Sequence, residues 1–594
     1  MKVKLTHRRS RVLRATLLGC SPLAFASSTA AFAAPPPHFP PTELLTDENG
    51  IDLATGKIVA PPFSITVGDP SSGSMSYVRS IVPNAVWTDN LQYTLQPPTA
   101  NDTKIYVSSG NKTQSYSNSG GIYYSDSADG SKVSLSGGTY VYTGRDGTVI
   151  EFVQQGDLAY SPYAIYRPDG EVLTFHYKTG TVTYNGSPTT FVRRQSVVSS
   201  RGFQVKFSYL LNSMASSSDI PGFTSLSSVR AINNGIDFCN PSADSCSYTY
   251  SWPSLSIATS GSGPFTESIT DNASRTTVVT RTADTVLGVR LPGSVVDDVS
   301  ASYAGTPGAS WPITVVANGI THSYATAPGG TATINGTSVP VDNRTISVAG
   351  TVIRSAKVGV FNGDPVITSQ TDGLNRTTYF DYGAFGRLRT VSAPEGNYTL
   401  FTYDARGNII QTSRVAKGAA LATLHTYAAF DGTCANAKTC NQPIWTRDEL
   451  NNQTDYTYEA ATGQIKTVTR PAAAAGQARP QVRFSYEQRY AYRKDGNGNI
   501  GTAGPPISVL TETSTCLSGT SCTGTAEERR TVVTYQPGSA SSASNILPVS
   551  TTTRAGDNAV SSTTTVAYDQ VGNIVSADGP LSGPAESLIQ NYSA

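Results

Sequence analysis

Charge is scarce in this chain. Lys, Arg, Asp and Glu together make up 14% of 594 residues, and 43 basic side chains against 42 acidic ones leave a net charge of +1. No basic cluster lies outside the N-terminus, which argues against nucleic acid or an anionic membrane surface as a partner. Histidine is rarer still: only five, at positions 7, 38, 176, 322 and 425. Neither H-E-x-x-H nor G-x-S-x-G, the common metallopeptidase and α/β-hydrolase signatures, occurs in the chain. There is no heptad or long amphipathic helical stretch. Past the N-terminal leader, no segment approaches the roughly 20 apolar residues that a membrane-spanning helix needs.

Other chemistry can be sought in particular residues. Gly496-Asn497-Gly498-Asn499-Ile500-Gly501 satisfies G-x-G-x-x-G. The Thr502-Ala503-Gly504-Pro505-Pro506 that follows is a poor start for the helix whose N-terminus would hold a pyrophosphate. Asp495 to Asn499 also alternates oxygen ligands as calcium loops do, but Ile500 and Pro506 stand where such a loop wants Gly and Glu. A plain polar loop is the better reading. Asp297 and Asp298 are adjacent, and neighbours on a strand point to opposite faces. The residues therefore assign no catalytic group, no cofactor and no metal site.

What is abundant is glycine, 53 residues, and tyrosine, 31. Phe401-Thr402-Tyr403-Asp404-Ala405-Arg406-Gly407-Asn408-Ile409 returns as Val566-Ala567-Tyr568-Asp569-Gln570-Val571-Gly572-Asn573-Ile574. Phe401 and Tyr403 lie two apart and share one face of a strand. Asp404 suits the first position of a type I turn and Gly407 the fourth, with Asp bonding amides ahead of it and Gly free to take positive φ. Strand, tight turn and returning strand make a β-hairpin. Weaker copies are Phe380-Asp381-Tyr382, Tyr456-Thr457-Tyr458, Phe484-Ser485-Tyr486 and Val533-Thr534-Tyr535. Phe175-His176-Tyr177, Phe207-Ser208-Tyr209 and Tyr248-Thr249-Tyr250 carry the same doublet upstream. Internal repeats of this kind build stacked units rather than one catalytic pocket.

The first residues read as an export address. Lys2, Lys4, Arg8, Arg9, Arg11 and Arg14 precede an apolar, small-residue stretch, and Ala31-Phe32-Ala33 is an acceptable cleavage site ahead of Ala34-Pro35-Pro36-Pro37. Beyond Cys20, the cysteines fall into close pairs: Cys239 with Cys246, Cys434 with Cys440 and Cys516 with Cys522. Small, polar intervening segments suit loop tips clasped by local disulfides in an oxidising compartment. Zinc is the rival, though it usually draws on tighter spacing and nearby histidine, and only His425 lies near a pair.

Five regions follow: a signal peptide, 1–33; a Pro-rich start and irregular β region, 34–139; divergent hairpins of the repeated kind, 140–250; a Thr/Val/Gly-rich β module, 251–362; and the clearest repeats, 363–594. Tyr403, Asp404, Gly407 and Asn408, with Tyr568, Asp569, Gly572 and Asn573, are the defining turn residues. In this series Tyr-Asp-x-x-Gly-Asn, flanked by aromatic-x-Tyr strands, resembles the YD repeats of RHS (rearrangement hotspot) proteins. Cys434 to Cys440, Tyr456-Thr457-Tyr458 and Asp578-Gly579-Pro580-Leu581 are similar to a secreted bacterial branch of that family.

The resemblance implies an all-β fold in which repeated hairpins form a spiralling sheet or partial shell, with a less regular N-terminal β region. It also implies a noncatalytic scaffold that is secreted, periplasmic or at the cell surface. The partners expected are a cell-surface glycan, met by a carbohydrate-binding surface, or an encapsulated polypeptide. Longer members carry a C-terminal toxin released at a core with Asp-Pro-x-Gly elements. Here Asp69-Pro70 and Asp364-Pro365 lack the following Gly, so neither core nor toxin is expected, as in a truncated shell segment of a polymorphic toxin.

Overall fold

The computed structural model describes residues 39–589, apart from 42–44, 83–84, 111, 156–158, 306–310, 419–420, 520 and 582–587. The expected signal peptide lies outside the described residues. From Ala159–Tyr166 onward the chain is one antiparallel meander, in which each strand pairs with the next in sequence. The order continues through the Thr/Val/Gly-rich stretch and the repeats to Leu588–Ile589. Among the described residues of the meander, only the small hairpin Tyr492–Lys494 with Ile500–Thr502 stands outside the order; Gln481–Arg489 pairs past it with Ile507–Cys516. Short strands alternating with Gly- and Asn-rich turns dictate this topology, because a two- to five-residue connection can join only antiparallel neighbours.

The N-terminal part is built differently. Tyr93–Gln96 begins an eight-strand ring that closes where Tyr160 pairs with Leu95. Ala159–Tyr166 therefore serves two structures: its first half seals the ring, and its second half, Ala164 to Tyr166, starts the meander. Leu95, Ile105, Tyr116, Val133 and Phe152 fill the ring and are wholly buried. Before it, Phe63–Asp69, Gly73–Ile81 and Trp87–Asp89 form a separate sheet.

This N-terminal sheet and the segment ahead of it lie across one face of the meander. Tyr77 meets Phe207 edge-on at 5.6 Å, Asp89 pairs with Arg194 at 2.5 Å, and Glu48 reaches Arg354 at 2.5 Å. Phe203, Val205 and Phe207 on that face are fully buried, as are Ile51, Leu53 and Ile58 above the sheet. Fully burying such a side chain contributes roughly 1.5–3 kcal/mol, so this strap across the sheet is where the largest core forms.

Candidate functional site

The repeated doublet is a latch. In Tyr177, Tyr209, Tyr382, Tyr403, Tyr458, Tyr486, Tyr535 and Tyr568 the phenol donates to a backbone carbonyl at or just before the preceding strand: Pro162, Arg194, Ile367, Leu388, Pro443, Ile465, Leu510 and Pro548 respectively. At each of these tyrosines the register with the following strand slips by one residue. Such β-bulges sharpen the local right-handed twist. Repeated on strands that all run the same way, they give the sheet cause to wind instead of lying flat. The first residue of the doublet does the burying: Phe175, Phe207, Phe380, Tyr456 and Phe484 lie in the core, whereas most of the latch tyrosines are half-buried. Burial pushes the phenols of Tyr209, Tyr486 and Tyr535 up to about 12, which keeps them protonated as donors.

Tyr248-Thr249-Tyr250 is an exception to the sequence reading. It lies in the loop beyond the Cys239–Cys246 bridge, where the Asp237 carboxylate accepts from the Thr249 and Tyr250 amides and from Trp252 Nε1. A local acceptor outcompetes strand pairing there.

The turn is a second, separable module. Asp404 Oδ1 accepts from the amides of Arg406 and Asn408, Oδ2 accepts from Asn408 Nδ2, and the Gly407 amide donates to the Asp404 carbonyl. Gly407 takes φ +77°. Asp569 to Asn573 repeats the same bonds with Gly572 at φ +100°. So does Asp495 to Asn499, with Gly498 at φ +83°. The Asp495 carboxylate, which the sequence offered as an oxygen ligand, accepts from its own turn.

Three further copies escape the sequence pattern. Asp448 holds Leu450 and Asn452 with Asn451 at φ +64°. Asp372 holds Leu374 and Arg376, and Asp271 holds Ala273 and Arg275, with Asn375 and Ser274 at φ +60°. Asn or Ser tolerates the left-handed position less well than Gly but does occupy it. Arg Nε replaces Asn Nδ2 as the fifth-residue donor. The usable signal is Asp followed four residues later by Asn or Arg.

Turns from distant parts of the chain meet along a seam. Asn408, fully buried, accepts from Arg145 Nη2 at 2.5 Å and donates to Asn441 Oδ1 at 3.1 Å. Asn441 Nδ2 donates to the Arg145 carbonyl at 2.9 Å. Arg387 Nη2 donates to the carbonyls of Ser127 and Ala128. Farther along, the Ser508 amide donates to Asp169, Asn545 Nδ2 to Arg201, and Lys494 to Asn234 and Ile236. At the end, the Gly68 amide donates to Val571 at 2.7 Å and Asn233 Nδ2 to Gln570. The side-chain bonds across this seam join residues between 258 and 344 positions apart. Strand ends of the later meander therefore rest on turns of the ring and the earlier strands, which is one winding of the spiral.

The bridged cysteines sit in the connections between strands, with Cys516 the last residue of Ile507–Cys516. Cys239–Cys246, Cys434–Cys440 and Cys516–Cys522 are bonded, with Cα atoms 5.5, 4.7 and 5.7 Å apart. Cys434–Cys440 closes the loop that presents Asn441 to the seam. No helix among the described residues is long and apolar enough to cross a membrane.

Residues 382–420 match the family model described as RHS Repeat; the stretch begins on one latch tyrosine and contains Tyr403 and its turn. No curated protein sequence matches the chain. Among solved structures, the crystal structure of TcdB2-TccC3-Cdc42 is similar at 13% identity and a TM-score of 0.33, over 89% of this chain and 26% of that one. TcdB2-TccC3 is similar at 10% identity and a TM-score of 0.29, over 86% of this chain and 28% of that one. TcdB2-TccC3 without its hypervariable C-terminal region is similar at 12% identity and a TM-score of 0.25, covering 90% and 27%. The chain thus spans about a quarter of the length of these solved chains. The family match falls on the latch and turn that recur along the wound sheet: residues 382–420 carry an RHS repeat.

Proposed function

We propose that this chain is a noncatalytic exported scaffold, a segment of β-shell at the cell surface or in the extracellular space. The observation that carries the reading is the seam: turn-to-turn hydrogen bonds between residues some 260–340 positions apart convert a flat meander into a wall. The tyrosines, aspartates and asparagines that recur in the motif are engaged in latching and turning. The leader and the three bridged cysteine pairs support an oxidising destination. An encapsulated polypeptide is the partner that a wall of this kind would serve.

Expression with the natural leader tests this. The mature N-terminus should be Ala34, free-thiol labelling of the denatured mature chain should detect no cysteine, and particles of the purified chain should show a curved wall by electron microscopy. Retention of Met1 with reactive thiols would sink the exported scaffold.

A second reading is a carbohydrate-binding surface. It rests on tyrosines outside the latches, such as Tyr379, Tyr163 and Tyr490, which are 59%, 50% and 48% exposed. Loss of glycan binding in Tyr379→Ala or Tyr163→Ala, with the fold intact, would favour it over the scaffold.

A further inference from the structure

Where the N-terminal sheet crosses the meander, the two enclose a cavity of about 760 Å³. Its rim is formed by exposed residues, among them Leu210, Thr224 and Thr259, and its deep wall by Tyr77, Arg79, Thr88, Asp89 and Glu267, all buried. The volume falls within the ~300–1,000 Å³ of small-molecule sites.

The charges on this wall do not cancel. Asp89 is taken by Arg194 at 2.5 Å and by the Leu91 amide. Glu267 is taken by Arg281 through two bonds and by Trp87 Nε1. That leaves Arg79, only 8% exposed, whose Nε and Nη1 have no hydrogen-bond acceptor among the described residues. Its guanidinium lies over the Trp87 ring at 4.5 Å, a contact that supplies no acceptor. The Tyr77 hydroxyl, on a side chain 0% exposed, and Thr88 Oγ1 are likewise without partners. Burying a guanidinium unpaired is among the costlier things a fold can do, and the unpaired Tyr77 hydroxyl lies on the same face of its strand.

We propose that this cavity binds a small oxyanion, a carboxylate or a phosphate or sulfate group. Arg79 meets it with guanidinium N–H donors that have no acceptor among the described residues. Tyr77, two residues earlier on the same face of the strand, adds a hydroxyl donor beside it. The space beyond the guanidinium exceeds a bare ion, and Trp87, Tyr177 and Phe265 offer it apolar walls. An anion carried on a sugar-sized body fits the volume, and a free inorganic anion would use the same donors.

Calorimetric titration of the purified mature chain distinguishes these. Glucuronate and glucose 6-phosphate serve as organic probes, inorganic phosphate and sulfate as free ions, and glucose as the neutral control. The expected result is saturable one-site binding of at least one anion with none for glucose. Arg79→Gln should weaken that binding at least tenfold. Tyr77→Phe should weaken it several-fold while leaving the ligand-free melting temperature unchanged or raised, because it removes only an unsatisfied hydroxyl. Organic anions binding better than inorganic ones would assign the body of the cavity to the ligand, and the reverse would assign a free ion. Absence of binding by every anion at millimolar concentration would overturn the proposal, leaving the donors to water. So would equal affinity in Tyr77→Phe and Arg79→Gln. If Arg79→Gln fails to fold, the Tyr77→Phe comparison decides alone.

Discussion

Three glycines occupy the same position of the same turn and differ only in what lies beyond them. A Cβ on Gly498 would meet nothing within 4 Å; on Gly407 it would come 2.7 Å from the Arg387 guanidinium; on Gly572 it would come 2.7 Å from Gly68 Cα. All three have positive φ, so alanine carries a conformational cost of about 1–2 kcal/mol at each. Gly498→Ala should cost only that. At Gly407 the obstacle is a side chain that can move, but moving it loosens its bonds to Ser127 and Ala128. At Gly572 the obstacle is backbone, and yielding means separating the Gly68 amide from Val571. A buried donor left unpaired adds about 1–3 kcal/mol.

The expected excess of Gly572→Ala over Gly498→Ala is therefore about 2 kcal/mol, or roughly 30-fold in a local opening equilibrium. A chain of this length need not unfold in one step, so a local probe is the right assay. Hydrogen exchange of peptides spanning Gly68 and of those spanning Ser561–Tyr568 should accelerate together in Gly572→Ala and stay unchanged in Gly498→Ala. Equal effects at the three sites, or acceleration confined to one side of the seam, would refute the winding contact.

Tyr458→Phe removes one latch without changing the ring, and should cost about 0.5–1.5 kcal/mol, read as faster protease cleavage in the 434–440 loop that precedes Pro443; unchanged cleavage would mean that the phenol contributes nothing. Converting Cys516 and Cys522 to serine together releases a very short loop, and the chain-entropy model gives about 2–3 kcal/mol; exchange should rise in Glu528–Tyr535, with no effect if the bridge is ornamental. Burial raises the Asp47 carboxyl above its usual range, and this outweighs the bond from Tyr324. A raised folded-state value favours the protonated form, so stability is present below the ordinary carboxylate range and falls as pH rises through the folded value. Asp47→Asn should remove that slope, its melting temperature gaining on the wild type as pH rises from 4 to 7; a gap that shrinks would reverse the assignment.

Much of the hairpin architecture is legible in residues. Phe401, Tyr403, Asp404 and Gly407 announce strand and turn because period-two burial and positive φ are local requirements. The turns at Asp271, Asp372 and Asp448 were hidden because Asn or Ser can take the glycine's place and Arg can take the asparagine's. Tyr248 and Tyr250 misled for the opposite reason: a doublet specifies a strand only if a neighbouring strand is there to pair with it, and Asp237 offered a nearer partner. The phrase also concealed a division of labour. Latch and turn coincide at Tyr403 and Tyr568, but Asp448 turns without a latch and Tyr486 latches without the turn.

The sequence by itself determined that the chain is a run of antiparallel hairpins, because turn chemistry and alternation act over a few residues. It determined nothing about which hairpin would lie on which. That Arg145 meets Asn408, that Gly68 meets Gly572, and that Arg79 is left facing a cavity depend on the accumulated twist of many strands. Each bulge adds a small rotation, and only their sum brings residues some 300 positions apart into hydrogen-bonding distance. Such a sum is written in no single motif, so the wall's closure belongs to the tertiary structure alone.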